Sequence, residues 1–554
     1  MLVQLGLLAA LPSVIAQFPP PRKDITTLES KFHPGVTISF KEPGICETTP
    51  GVRSYSGYVH LPAHSLNEKH ENQSYPINTF FWFFEARKDP HNAPLSIWLN
   101  GGPGGSSLMG ALSENGPCFI GKDSNSTYLN PWSWNKFPAY KPNDNRISIY
   151  GESYGGRYVP QFIDFFLKQN EKIRTGEMDT PGAHYIHLDT MGIVNGCIDF
   201  FDQVRGYIEF AWKNTYGIRM FTEAQYHNAL YHYHKDDGMK DRIAKCIKME
   251  RELDPHDHGD VEAVNEYCKM VNEYATNYTI LPMMSSGKYG WFDITHELRD
   301  SFPPQYLQGY LNQAWVQEAL GVPVNFSASS EAVYHAFVSS GDMAKGDQLG
   351  AIAYALDHGI KTHLVYGDRD YACNWVNGEY SSLNIPWKHQ KEFAEAGYTA
   401  FVAAKSPYLQ SHGLTRQYGN LSFTRVYQSG HLVPSYQGEA AYKIFMRSLF
   451  NKDIATGTID TAKVSDYSTY GHKDTWWMKS DVLPRPPSEC YVLAPDETCN
   501  DEELKWIRKG EAIVENWIVV GSTKKSKSSK SEREGKAFAS ARGRSGQAPL
   551  GGGM

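Results

Sequence analysis

A short, largely apolar run at 147–150 leads straight into Gly151-Glu152-Ser153-Tyr154-Gly155-Gly156, and a stretch of helical character follows at 158–167. That order is strand, sharp turn, helix. A serine held on such a turn needs glycine on either side, because the strand and helix backbones approach too closely there to leave room for side chains. Gly151 and Gly155 occupy those places. The segment predicts a nucleophile elbow that presents Ser153 at the C-terminal end of a strand in an α/β sheet.

Two later segments repeat the pattern of an apolar run ending in a titratable residue. Leu364-Val365-Tyr366-Gly367-Asp368-Arg369-Asp370 ends in carboxylates, and Phe423-Thr424-Arg425-Val426-Tyr427-Gln428-Ser429-Gly430-His431 ends in a histidine. Residues just past strand C-termini gather at one edge of an α/β sheet, where ligands bind. The chain order Ser153, Asp370, His431 is that of an α/β-hydrolase triad. In it, His431 takes the Ser153 proton while Asp370 fixes the imidazole tautomer and stabilises the imidazolium. A fourth strand-like run, Leu95-Ser96-Ile97-Trp98-Leu99-Asn100, is followed by Gly101-Gly102-Pro103-Gly104-Gly105. Such a loop brings bare backbone N–H groups to a developing oxyanion, with Gly102 and Tyr154 as the natural pair of donors.

Seven motifs in order make a more specific pattern. They are Trp98-Leu99-Asn100-Gly101-Gly102-Pro103-Gly104, Glu114-Asn115-Gly116-Pro117, Asn130-Pro131-Trp132-Ser133-Trp134-Asn135, the elbow, Tyr310-Leu311-Asn312, Gly367-Asp368-Arg369-Asp370 through Cys373-Asn374-Trp375, and Gly430-His431-Leu432-Val433-Pro434. The set resembles the serine carboxypeptidases, most closely their fungal secreted branch. The resemblance implies an α/β-hydrolase fold, peptide and protein substrates with a free C-terminus, and no cofactor or metal. It implies that Trp98, Asn100, Glu114 and Glu152 bind the substrate's terminal carboxylate, and that Cys373 and Leu432 line the pocket for the side chain beside the cut. Two glutamates can contact a carboxylate only when protonated, and crowding of like charges raises their pKa values enough to allow it. A preference for acidic pH follows. The resemblance also implies a Cys46–Cys118 disulfide, whose closed loop contributes roughly 4 kcal/mol in the chain-entropy model. Cys246 with Cys268 would brace the helical insertion, and Cys490 with Cys499 forms a third candidate pair.

One departure from the family's pattern bears on the whole sheet. The family places a strand, an Asp-Gln-Pro motif and a helix after the Asn-Pro-Trp-Ser-Trp-Asn segment, whereas here Lys136-Phe137-Pro138 follows at once. Only 53 positions separate Asn100 from Ser153. Parallel strands need a crossover of about a dozen residues or more. One central strand–helix unit is therefore expected to be missing between Asn135 and Phe137. Its absence should leave both 95–100 and 147–150 without a proper neighbour.

Residues 1–16 are apolar, end in Val14-Ile15-Ala16 and give way to a proline cluster at 19–21, the pattern of a signal peptide, although no Lys or Arg stands at its start. No other stretch reaches the roughly 20 apolar residues of a membrane span. Glycosylation sequons at Asn72, Asn125, Asn277, Asn325 and Asn420 and eight cysteines fit a secreted glycoprotein with disulfides. No CxxC pair suggests zinc, and His232, His234, His256 and His258 read as solvated side chains. One catalytic domain should span 17–521, because the triad residues lie so far apart, with helical insertions at about 198–300. The tail, 522–554, carries eight Lys or Arg against Glu532 and Glu534 in a chain of net charge −7. That composition predicts a disordered basic tail rather than a nucleic-acid domain. It lacks the hydrophobic end of a glycolipid-anchor signal, which favours free secretion or points to an altered C-terminus. Oligomeric state is not legible. Three function classes follow: a secreted serine carboxypeptidase working through an acyl-enzyme, a non-catalytic or unstable derivative lacking a strand, and an esterase or acyltransferase on the same scaffold.

Overall fold

The runs that precede the predicted triad residues are strands of one sheet. The computed structural model describes residues 19–66, 73–137, 145–255, 258–298, 302–304, 306–403, 411–484 and 488–523. The predicted signal peptide, Asn72, His256 and nearly all of the basic tail lie outside them.

An antiparallel sheet of four strands comes first in the chain, in the order β1 (Thr26–Glu29), β2 (Thr37–Lys41), β3 (Ser54–Leu61) and β4 (Ile77–Phe84). The main sheet has seven: β5 (Leu95–Leu99), β6 (Ile147–Glu152), β7 (Leu188–Val194), β8 (Lys361–Gly367), β9 (Thr399–Phe401), β10 (Gly413–Tyr418) and β11 (Leu421–Val426). Their spatial order is β9-β10-β11-β8-β7-β6-β5. The five strands from β5 across to β11 run parallel, and β10 and β9 add an antiparallel edge. β8 is buried along its whole length, as a parallel strand covered on both faces must be.

Helices cover both faces. Helix α1 (Gly155–Thr175) starts at the elbow and ends at Gly176 in the left-handed conformation, where a side chain would be strained. Its Val159 and Ile163 pack with Ile149, Met191 and Ile193 of the sheet in the main core. On the opposite face Tyr150 meets Phe445 of the helix Gly438–Leu449, with ring centroids 5.1 Å apart, and its hydroxyl bonds Ser448 Oγ at 2.8 Å. The alternation of Ile149 and Tyr150 between faces is the period-2 pattern of a strand.

Within 198–300 the chain forms α2 (Phe200–Trp212), α3 (Glu223–His234), α4 (Met239–Leu253) and α5 (Glu262–Thr279). Asp199 caps α2 by accepting from Asp202 N, and a Thr222–Gln225 capping box starts α3. These helices pack on the loop after β8: Tyr207 Oη donates to Ala372 O at 2.6 Å, and Tyr371 Oη donates to Thr279 O at 3.0 Å. His232, expected to be solvated, is instead half-buried between helices, stacked on Tyr278 at 3.7 Å with Nδ1 2.6 Å from Tyr274 Oη.

Of the two strands expected to lack a neighbour, one does among the described residues. β5 pairs only with β6 among the described residues, and Leu95 and Ile97 are 40% and 39% exposed. The elbow strand, expected to be orphaned too, has both neighbours, since β6 pairs with β5 on one side and β7 on the other. The reason is topological: β6 lies between β5 and β7 in the sheet, and among the described residues only the outer side of β5 is open. At the junction, Trp134 stacks on Phe445 at 4.0 Å and Phe137 sits 6.1 Å from the same ring.

Candidate active site

Ser153 follows β6 directly and holds φ at 61°, the left-handed region that costs a non-glycine residue free energy. Three backbone hydrogen bonds hold it there. Ser153 N donates to Val194 O at 3.0 Å, and Ser153 O accepts from Gly156 N and Cys197 N, both at 2.9 Å. A Cβ on Gly151 would lie 2.6 Å from Val159 Cγ2 and 3.1 Å from Gly155 Cα, which is the close approach expected of an elbow.

Asp370 and His431 come together from the ends of β8 and β11. His431 Nδ1 lies 2.7 Å from Asp370 Oδ2, and the carboxylate acceptor places the proton on Nδ1. Asp370 accepts three further hydrogen bonds: from Ala372 N to Oδ1 at 2.9 Å, and from Cys373 N at 3.0 Å and Asn195 Nδ2 at 2.9 Å to Oδ2. Asn195, which sequence reasoning missed, also accepts from Gly367 N at 2.9 Å. Asp368, the other carboxylate of the same loop, is taken up by Arg425 Nη2 at 3.2 Å and Tyr216 Oη at 2.7 Å.

The loop after β5 packs its backbone on the elbow. A Cβ on Gly101 would lie 2.3 Å from Tyr154 N, and one on Gly102 2.5 Å from Gly105 N. Gly102, at φ 110°, is exposed.

Asn100 joins the two glutamates. Its Nδ2 donates to Glu114 Oε1 and Glu152 Oε1, each at 3.0 Å, while its Oδ1 accepts from Trp98 Nε1 at 2.8 Å and Gly110 N at 3.0 Å. The amide thus uses both donors and both acceptor sites. Glu114 and Glu152 are buried, and among the described residues the Oε2 of each has no hydrogen-bond partner. Burial pushes the Glu114 carboxyl above its ordinary range. Burial, and then the charge of Glu114, hold Glu152 well above it.

Leu432 is half-buried beside His431. Cys373 is 1% exposed and bonded to Cys197, a pairing the sequence did not suggest, so its sulfur belongs to a bridge. The expected Cys46–Cys118, Cys246–Cys268 and Cys490–Cys499 bridges are formed. Among the sequons, Asn125, Asn277 and Asn325 are exposed, and Asn420 is partly covered, its Nδ2 donating to Gly359 O at 3.0 Å. A cavity of about 580 Å³ is lined by Ser113, Arg369, Phe119, Tyr128, Phe302 and Tyr436 among others, and by none of Glu114, Glu152, Ser153, Asp370 and His431.

The serine carboxypeptidase family model matches residues 43–139 and 135–451, in two pieces that meet at the junction. Carboxypeptidase S1 homolog A of Arthroderma otae is 43% identical over 604 aligned positions, covering 93% of this chain and 92% of that protein. Those positions outnumber the 554 residues here, so the relative holds residues that this chain lacks. A carboxypeptidase Y homolog of Arthroderma benhamiae is 35% identical over 94% of this chain and 95% of its own length. The crystal structure of Kex1(Δ)p, a prohormone-processing carboxypeptidase from Saccharomyces cerevisiae, superposes with a TM-score of 0.51 at 20% identity, over 71% of this chain and 90% of that one. That likeness shows a shared fold. The chain belongs to the serine carboxypeptidase family.

Proposed function

We propose that this chain is a secreted peptidase that removes C-terminal residues through an acyl-enzyme, with a preference for acidic pH. Ser153 Oγ attacks the scissile carbonyl carbon as His431 Nε2 accepts its proton, and the Gly102 and Tyr154 N–H groups receive the oxyanion. The proton passes to the leaving amine, and water, activated by the same imidazole, releases the acyl group. The observation that carries this reading is the Asn100–Glu114–Glu152 cluster. Its two buried carboxyls, neutral at acidic pH, offer O–H donors to a terminal carboxylate. The bridging of all eight cysteines and the apolar leader support passage through an oxidising compartment.

The test is Ser153→Ala beside labelling with a serine-reactive phosphonate. Hydrolysis should fall by about 10⁴-fold or more, with label recovered on Ser153 of the parent. Turnover near that of the parent in the variant would remove Ser153 from the mechanism. The unpaired edge of β5 favours one second reading, an unstable derivative whose triad outlasts its sheet.

A further inference from the structure

The two halves of the Cys197–Cys373 bridge each bond a different member of the triad. Cys197 follows β7, and its N–H donates to Ser153 O at 2.9 Å. Cys373 lies in the loop after β8, and its N–H donates to Asp370 Oδ2 at 3.0 Å. Asn195 closes the circuit, since its Nδ2 reaches both Asp370 Oδ2 at 2.9 Å and Cys373 O at 3.3 Å. The bridge spans 176 positions of sequence but joins the ends of two adjacent parallel strands. Both cysteines are buried, at 7% and 1% exposure. The other three bridges tie segments elsewhere: Cys246–Cys268 joins α4 to α5, Cys46–Cys118 joins the N-terminal segment to the strand Cys118–Ile120, and Cys490–Cys499 closes a step of 9 positions near the C-terminus.

We propose that the Cys197–Cys373 disulfide is a positioning element of the catalytic triad, holding the nucleophile elbow in register with the loop that carries Asp370. The proposal rests on the peptidase reading above. A covalent link between the two loops limits their relative displacement, and small misplacements of reacting groups are costly: about 1 Å can cost on the order of 100-fold in rate.

The experiment compares Cys197→Ala/Cys373→Ala with Cys246→Ala/Cys268→Ala, below the melting temperature of both. The first pair should lose on the order of tenfold or more in kcat, with phosphonate labelling of Ser153 slowed by the same factor and KM within about twofold of the parent. The second pair should keep the parent's kcat. Equal kcat in the two double variants, or losses that follow thermal stability alike in both, overturns the proposal. Peptide mapping of the unreduced parent by mass spectrometry reads the bridge independently of folding in the variants. A cross-linked Cys197–Cys373 peptide is expected, and its absence overturns the proposal. Labelling of the parent at Ser153 judges the peptidase reading, and the ratio of variant to parent judges the bridge.

Discussion

Asn195 donates its Nδ2–H to Asp370 Oδ2 at 2.9 Å, the same oxygen that faces His431 Nδ1 at 2.7 Å. The amide therefore fixes the carboxylate that fixes the imidazole. Asn195→Ala removes a hydrogen bond to a charged group, worth about 1.5–3 kcal/mol. Expressed in the transition state, that is roughly a 10- to 100-fold fall in kcat. Steady-state kinetics should show this with KM little changed, and a rise in KM without loss of kcat would contradict it.

The acid pair sets a second expectation. Glu152 is held well above the ordinary carboxyl range by burial and by Glu114, so its O–H donor persists at acidic pH and is lost as pH rises. KM for a free-acid peptide should climb from acidic to neutral pH, while KM for the peptide amide stays flat. Glu152→Gln keeps a donor that does not titrate and should flatten the free-acid profile. Parallel profiles for acid and amide in the parent would sink the assignment.

Asp202 gives a stability test away from the site. Burial, and then Asp199, raise its carboxyl to about 7 in the folded protein. A raised folded pKa means that its contribution is complete below the unfolded value of about 3.9 and is lost progressively as pH climbs from there through the folded value. Asp202→Asn, which keeps the oxygen that accepts from Asn384 Nδ2 at 2.8 Å, should melt with the parent near the acid end of that window and above it at the alkaline end. Melting curves at the two ends check the sign.

The open edge of β5 predicts association, because unpaired strands with exposed apolar side chains template pairing with other chains. Inserting a strand and crossover helix of roughly 60 to 80 residues after Asn135 should give a monomer with higher yield and turnover. Size-exclusion chromatography with a peptidase assay reads both. A monomeric parent with the same turnover as the extended protein would refute it.

Much of the site was legible along the chain because turn geometry and burial are written in neighbouring residues. Gly151 and Gly155 around Ser153, the glycines after Asn100, and the runs ending at Asp370 and His431 each mark a strand end. The short span from Asn135 to Ile147 likewise bounds what can be built there, since a strand with its crossover needs about a dozen residues or more. What depends on residues far apart emerged only on folding. Packing gave Asp368, for which the sequence suggested no partner, to Arg425 and Tyr216. It brought Asn195 to Asp370 and Cys197 to Cys373, pairs separated by 175 and 176 positions that no local pattern connects. It also paired β6 on both sides and β5 on one among the described residues, because strand order in a sheet is set by which strands can pack together, not by their order along the chain.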